Sequence, residues 1–182
     1  GTAINYVTDI LDDNKGNLWI STDNAGIIIL DKTDGCWSKI KVKENDLYSL
    51  PSNHINCLYL DYQDVMWVGT SKRGVAYTCL NKVLFEKVEY PGLDDVSCVL
   101  EDKEGNIWCG TDGSGIMCER KNTGQSMVYN AANGDIPGDL IVCSYLDSKG
   151  RVWFGTYGSG VFYYERGRFV PVHHSNPAKD EL

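Results

Sequence analysis

The sequence predicts an all-β protein made of four similar units, each a small antiparallel sheet of four strands. The first observation is a recurring tryptophan: Trp19, Trp67, Trp108 and Trp153 follow one another at intervals of 48, 41 and 45 residues. The second is that short β-prone runs alternate with turns rich in Gly and Asp, and no stretch has the 3.6-residue period of a helix. With 42% hydrophobic and 23% charged residues, the 182-residue chain can bury a core.

The same residue types recur at fixed distances from each tryptophan. Asp stands six positions before it, Thr three positions after it and Gly seven positions after it. The four aspartates are Asp13, Asp61, Asp102 and Asp147. We expect these aspartates to accept hydrogen bonds from the backbone of a hairpin turn, and the tryptophans to pack between neighbouring units.

The third repeat shows the predicted strands in order, over residues 96–101, 107–111, 115–119 and 125–129. The first repeat begins with an inner strand over 6–12, and the fourth ends with an outer strand over 168–173. A unit of about 40–45 residues with four strands and one signature tryptophan is typical of a β-propeller blade. The predicted blades cover about residues 4–43, 53–90, 94–130 and 139–174.

Three segments, 13–22, 102–111 and 147–156, carry the pattern D-x-x-G-x-[ILV]-W followed within three residues by Thr. On these residues the chain resembles the two-component regulator propeller repeat family, although Asp64 replaces Gly in the second repeat and Ser21 replaces Gly in the first. The resemblance implies a periplasmic sensor of a hybrid two-component histidine kinase in the inner membrane of Bacteroides-like bacteria. It also implies seven-bladed propellers that commonly respond to oligosaccharides.

Four blades are about half of such a ring, so we expect a β-propeller fragment whose first and last blades expose apolar faces. Exposed faces of this kind favour self-association, or packing against the rest of the sensor. A closed ring of four blades is the alternative, because propellers range from about four to eight blades.

The seven cysteines are the first candidates for chemistry. Cys57, Cys98 and Cys143 stand ten positions before their tryptophans, and Asp9 holds that position in the first repeat. We interpret the position as one that needs a small apolar side chain; a ring of thiols that binds metal or is redox-active is the alternative. The acidic turn 12–16 does not have the spacing of a calcium loop, so no metal site and no cofactor are predicted.

Several function classes are disfavoured. A net charge of −8 argues against a nucleic-acid partner, and no apolar run approaches the length that would bring this segment into a membrane. The three histidines, His54, His173 and His174, form no recognisable catalytic set with Ser and Asp, so no catalytic residue is predicted.

Ligands of propellers usually dock on the face where the interblade loops meet the turns between second and third strands. Sugars require apolar ring surface together with polar groups for their hydroxyls. The residues of those segments that could provide these contacts are Asn53, His54, Arg73, Asp112 and Tyr157. The sequence therefore favours a non-catalytic, glycan-responsive sensor module. A protein–protein interaction or structural propeller is the alternative, and a propeller lyase or hydrolase is a third interpretation.

Overall fold

The computed structural model describes residues 6–80, 84–88, 90 and 92–172, and this part of the chain contains strands and turns but no helix. The described strands form four antiparallel sheets of four strands each, as the sequence predicts. Within each sheet, strands that follow one another in the chain are hydrogen-bonded neighbours, so every sheet is a simple meander. The predicted blade ends at residues 4–5 and 173–174 lie outside the described residues.

The chain forms two compact units, residues 1–99 and 100–182. Blades 1 and 2 lie in the first unit. The strands of blade 1 are β1 (Val7–Asp12), β2 (Asn17–Thr22), β3 (Gly26–Asp31) and β4 (Trp37–Ile40). The strands of blade 2 are β5 (Ile55–Leu60), β6 (Val65–Thr70), β7 (Gly74–Cys79) and β8 (Glu86–Lys87).

The other two sheets complete the described chain. The strands of blade 3 are β9 (Val96–Glu101), β10 (Ile107–Thr111), β11 (Ile116–Arg120) and β12 (Gln125–Tyr129). The strands of blade 4 are β13 (Ile141–Leu146), β14 (Val152–Thr156), β15 (Val161–Glu165) and β16 (Arg168–Pro171). The second unit begins at residue 100, within β9.

The predicted bounds differ from the structure in three strands, and β11 differs at both ends, since it also extends one residue further, to Arg120. Strand β11 begins at Ile116 because Gly115 has a φ of +79°, which belongs to the turn. Strand β1 begins at Val7, since the carbonyl of Tyr6 accepts a hydrogen bond from the turn residue Asp23 instead. Strand β16 ends at Pro171, and the predicted end at His173 lies outside the described residues.

The inner strands of blades 1, 2 and 4 share a bulge near their beginning. Their pairing shifts by one residue between Val7 and Asp9, between Ile55 and Cys57, and between Ile141 and Cys143. A bulge of this kind twists a strand locally and redirects the side chain that follows it. In each of these blades the residue that follows is the one ten positions before the tryptophan.

On the first strand of the blade, that recurring position pairs with the residue of the second strand that precedes the recurring Thr. Cys57 pairs with Gly69, and Cys143 pairs with Gly155. A Cβ atom added to Gly155 would lie 2.7 Å from the Cys143 sulfur, which is closer than atoms can pack. A thiol on the inner strand therefore requires Gly on the neighbouring strand.

In the first unit, the side chain at this position also contacts the backbone of the next blade. The Asp9 carboxylate accepts a hydrogen bond from the backbone N–H of Leu58 at 2.9 Å. Burial raises the pKa of the Cys57 thiol far above its usual range, and the backbone of Val99 in blade 3 acts in the opposite direction. In blade 1 the position thus holds an acceptor for a backbone hydrogen bond, which a requirement for a small apolar group alone does not explain.

The signature tryptophans pack against the following blade where both blades lie in one unit. Trp19 is 2% exposed and lies in one apolar cluster with Leu58, Met66 and Val68 of blade 2. Trp108 is fully buried, and its ring lies 4.7 Å from that of Tyr164 and 5.9 Å from that of Phe154 in blade 4. Within each of these two pairs, the following blade thus covers an apolar face that a single sheet could not bury alone.

Candidate functional site

At one end of every blade, the recurring aspartate closes the turn between the first two strands. In blade 3, Asp102 accepts hydrogen bonds from the backbone N–H groups of Glu104 (3.0 Å) and Asn106 (2.9 Å). It also accepts the Asn106 side-chain amide at 2.8 Å and the indole N–H of Trp108 at 2.7 Å. We call this end of the blades the Asp-turn end.

The bond between carboxylate and indole occurs in all four blades, and the sequence alone did not indicate it. The Asp–Trp pairs of the other three blades are Asp13–Trp19 at 3.3 Å, Asp61–Trp67 at 3.0 Å and Asp147–Trp153 at 2.9 Å. Because both partners are the recurring residues of the blade, these aspartates belong to the framework and are not candidates for ligand binding.

The electrostatics of two of these carboxylates reflects their partners. Burial opposes ionisation of Asp13, but hydrogen bonds from Asn17, Lys15 and Trp19 outweigh it and lower the pKa. In Asp147, desolvation is likewise outweighed by bonds from Trp153 and Arg151, so its pKa lies well below the usual range. Both groups are carboxylates at neutral pH.

At the opposite end, the recurring threonine closes the turn between the second and third strands. Its hydroxyl donates a hydrogen bond to the carbonyl of the glycine four residues later. The pairs are Thr22–Gly26 (2.8 Å), Thr70–Gly74 (2.6 Å), Thr111–Gly115 (2.7 Å) and Thr156–Gly160 (2.7 Å). These glycines have φ values between +72° and +79°, a conformation that other residues rarely adopt.

These turns lie beside the interblade loops, and we call this end of the blades the loop end. The backbone N–H of Gly26 donates to the carbonyl of Asn53 at 3.0 Å, and that of Gly74 donates to Asp94 at 2.7 Å. In the second unit, the N–H of Gly115 donates to Asp139 at 3.2 Å. Within each unit, the turns and interblade loops that carry the predicted ligand-binding residues thus lie together at the loop end.

In the first unit, the loop end brings His54 next to Asp23. His54 Nδ1 lies 2.8 Å from Asp23 Oδ1, and both side chains are more than half exposed. The amide oxygen of Asn53 accepts the backbone N–H of Val42 at 3.0 Å, which leaves its NH₂ group to contact a ligand. Arg73 is exposed in the neighbouring turn. The sequence did not identify Asp23 as a partner of His54. The available signal was that Asp23 lies in the turn between β2 and β3, at the same end as the interblade loops.

In the second unit, the backbones of Asp112 and Tyr157 both contact the loop residue Leu140. Asp112 forms a β-bridge with Leu140, and the backbone N–H of Tyr157 donates to the Leu140 carbonyl at 2.9 Å. The Tyr157 side chain is 77% exposed, so its ring offers a flat apolar surface to solvent. The sequence-predicted residues therefore form two groups, one in each unit.

A cavity of about 400 Å³ lies at the Asp-turn end of the second unit. Its walls include Arg120, Lys149 and Arg166, together with Tyr164 and Glu104. The Arg120 guanidinium is partly buried, which opposes its charge, but hydrogen bonds to Tyr164 and Tyr129 raise its pKa further. None of these residues was a sequence-predicted candidate.

Within the described ranges, no group of three or more His, Cys, Asp or Glu side chains is arranged to hold a metal ion. The search for membrane-spanning helices in the same ranges also finds none. The seven cysteines are all free thiols, and Cys36, Cys79 and Cys143 are exposed.

Solved structures with the same fold include bacterial extracellular domains. The extracellular domain of the hybrid two-component system BT3049 of B. thetaiotaomicron superposes with a TM-score of 0.80 at 20% identity, over 90% of this chain and 23% of that one. The corresponding domain of BT4673 from the same organism gives 0.75 at 19% identity, over 97% of this chain and 23% of that one. This chain therefore spans about a quarter of the length of these solved domains.

A virginiamycin B lyase from Staphylococcus aureus also superposes, with a TM-score of 0.76 at 18% identity, over 98% of this chain and 59% of that one. At such low identities, the similarity establishes the fold alone. The comparison with curated proteins finds no match.

A family model matches the chain at four places, residues 3–24, 49–72, 91–113 and 135–158, which together make up about half of it. Each match ends at or beside the turn between the second and third strands of a blade. The matched family is described as the two component regulator propeller. The chain therefore belongs to the two component regulator propeller family.

Proposed function

We propose that this chain is a non-catalytic sensing module from the periplasmic part of a hybrid two-component histidine kinase in the inner membrane, and that its signal is an oligosaccharide. The observation that carries the proposal is the fourfold match to the family model. The similarity to extracellular domains of hybrid two-component systems supports the same role and an extracytoplasmic location.

The loop end supplies the side chains for carbohydrate binding in this proposal. The exposed ring of Tyr157 can stack on the C–H face of a sugar, and Asp112 can accept hydrogen bonds from hydroxyl groups. In the first unit, His54 and Asp23 offer polar groups held by their mutual contact, and Arg73 adds an exposed cation. Polar groups around exposed aromatic surface are the usual composition of sites for polar small molecules.

Signalling requires only that the oligosaccharide binds one arrangement of the sensor more tightly than another. The difference in affinity then shifts the population toward the favoured arrangement, and the change is transmitted to the kinase. The chain itself performs no chemistry on the ligand in this mechanism.

The test is a panel of oligosaccharides titrated by calorimetry into this chain and into the receptor that contains it. We expect saturable binding of one oligosaccharide class, weakened about tenfold or more by Tyr157→Ala, because a stacked aromatic side chain contributes roughly this much. Tyr62→Ala is the matched control, since Tyr62 is 66% exposed but lies in the turn of blade 2 at the Asp-turn end.

Two results would contradict the proposal. One is that no oligosaccharide binds to either protein; the other is that the two tyrosine variants weaken binding equally. Binding of a protein partner in place of every sugar would favour the alternative interpretation as an interaction propeller.

A further inference from the structure

The cavity at the Asp-turn end of the second unit is lined by three cationic side chains and three carboxylates, in a chain with a net charge of −8. Arg120 reaches it from blade 3, and Lys149 and Arg166 reach it from two turns of blade 4. Its volume of about 400 Å³ lies within the range of small-molecule sites in proteins.

Arg120 is held in place without a carboxylate partner among the described residues. Its Nη2 atom donates to the hydroxyl groups of Tyr164 (3.0 Å) and Tyr129 (3.3 Å). Its guanidinium lies 5.6 Å from the ring centre of Trp108 and 5.8 Å from that of Tyr164. An arginine normally uses its planar fork to bind a carboxylate or a phosphate, and here Nε and Nη1 donate to no other described residue.

Arg120 occupies a position at which each of the four blades has a different residue. It stands twelve positions after its tryptophan, where the other blades have Asp31, Cys79 and Glu165. Framework residues recur from blade to blade, as Asp and Trp do here. A position that varies from blade to blade is not required by the framework, so Arg120 is available for a specific function.

Arg166 lacks the partner that its counterpart has. In blade 1, Lys32 occupies the equivalent position and its ammonium lies 2.6 Å from the carboxylate of Asp12. Blade 4 has Leu146 where blade 1 has Asp12, so Arg166 has no carboxylate on its own blade to bind. The Lys149 side chain, in the adjacent turn of the same blade, likewise forms no ion pair among the described residues.

Asp102, Glu104 and Glu165 also line the cavity, but none of them forms a salt bridge with these cations among the described residues. Asp102 already accepts hydrogen bonds from Glu104, Asn106 and Trp108. Glu165 points to the opposite face of the sheet from its neighbour Tyr164, because side chains alternate along a strand. Glu104 remains as one acceptor with free hydrogen-bonding capacity.

We propose that this cavity binds a small molecule that carries an oxyanion group, with Arg120, Lys149 and Arg166 as its cationic contacts. The oxyanion is a carboxylate, a sulfate or a phosphate, since all three accept hydrogen bonds from a guanidinium in the same way. Glu104 accepts a hydrogen bond from a hydroxyl of the same molecule, so the ligand class is a polyhydroxylated compound with an acidic group. The inference goes beyond the proposed function, because no residue of the loop end takes part.

The experiment compares three probes of similar shape, namely glucose, glucuronate and glucose 6-phosphate, by titration followed with amide NMR shifts. We expect glucuronate or glucose 6-phosphate to bind at millimolar concentration or tighter, and glucose to bind far more weakly. Whichever of the two anions binds better identifies a carboxylate or a phosphate as the recognised group. Added NaCl should weaken binding, because the contacts are partly exposed charges.

The variant Arg166→Gln/Lys149→Gln leaves Arg120 and its aromatic neighbours intact, so the protein should keep its melting temperature. We expect it to bind the anionic probe about tenfold more weakly or worse, as the loss of charged hydrogen bonds predicts. The control Arg168→Gln/Lys41→Gln removes the same net charge from exposed residues that do not line the cavity, and should bind as the parent protein does.

Three outcomes would overturn the proposal. They are the absence of binding by both anions, equal binding of glucose, and an equal loss of affinity in the two double variants. The last would mean that the net charge of the chain, and not this cavity, attracts the anion.

Discussion

The carboxylate of Asp102 and the indole nitrogen of Trp108 are joined by a 2.7 Å hydrogen bond, and both residues are buried. The same carboxylate holds the backbone of the turn that precedes the tryptophan. One side chain thus fixes the shape of a hairpin and the orientation of the ring that packs on the next blade. The stability of the fold should depend strongly on this pair.

Replacing Asp102 by Ala should lower the free energy of unfolding by on the order of 3 kcal/mol, because a buried indole N–H and two turn N–H groups lose their acceptor. Urea unfolding followed by tryptophan fluorescence measures the change. Asp112→Ala is the control: this aspartate is exposed, so its loss should change stability by about 0.5 kcal/mol or less. Equal losses in the two variants would contradict the role of Asp102.

Trp108→Phe, combined with Asp102→Ala, isolates the bond itself. Phe keeps much of the buried ring but has no N–H, so part of the cost of Asp102→Ala should disappear in its presence. If the two costs simply add, the carboxylate acts on the turn alone and not through the indole.

Acid should destabilise the fold through Asp147. Its pKa is lower in the folded protein than its ordinary value of 3.8, because bonds from Trp153 and Arg151 outweigh desolvation. The stability that it contributes is therefore complete above about pH 4 and is lost as the pH falls through the lower folded pKa. Unfolding experiments between neutral pH and pH 2 should show this loss, and Asp147→Asn should reduce its slope. An identical pH profile for the variant would rule out this residue as a source of the acid sensitivity.

Gly155→Ala should destabilise blade 4, because the added Cβ atom would lie 2.7 Å from the Cys143 sulfur. Combining it with Cys143→Ala removes the sulfur and should recover much of the lost melting temperature. Cys36→Ala, which removes an exposed thiol elsewhere, should give no recovery. If Cys143→Ala restores none of the melting temperature lost in Gly155→Ala, the loss does not come from contact with the Cys143 sulfur.

We predict that the isolated chain self-associates through the face of blade 4 that carries Trp153. Tyr145 is 67% exposed and Val161 is 44% exposed on the face that carries Trp153, whereas the corresponding face around Trp108 in blade 3 is buried. A second copy of the chain can cover this face as a following blade would. Light scattering behind size exclusion should show a dimer or a larger species at micromolar concentration.

Tyr145→Glu should shift this equilibrium to a monomer, because a charge would be buried in the contact. Tyr62→Glu, on an equally exposed tyrosine of blade 2, should leave it unchanged. A monodisperse monomer of 20.3 kDa for the parent chain would refute self-association.

The sequence predicts the blades well because each repeat carries its own turn residues, Asp, Thr and Gly, at fixed distances from its tryptophan. The third repeat shows this: its strands differ from prediction only at the two ends of β11, which excludes Gly115, whose positive φ assigns it to the turn, and includes Arg120. What the pattern could not show is contact across the ladder. The preference for Cys143 depends on Gly155, which lies next to it only once the bulge has set the register.

The candidate sites were predictable to different degrees. Topology alone places His54 and Tyr157 at the loop end, since the turns and interblade loops of a meander must share an edge. Arg120 was not predictable as a cavity residue from repeated positions, because its position has a different residue in each blade. Its surroundings combine Trp108 and Tyr129 of its own blade with Tyr164 of blade 4. Only their three-dimensional arrangement shows that its charge has no carboxylate partner among the described residues.

The Asp–Trp hairpin also bears on how such proteins can change in length. In every blade the aspartate, its turn and the tryptophan lie within seven consecutive residues. A gene segment that encodes one blade thus carries both partners of its buried hydrogen bond. After duplication, the new copy would require from its neighbours only an apolar surface on each side. Propellers of this kind can therefore gain or lose whole blades in one genetic step, while their loops diverge independently toward new ligands.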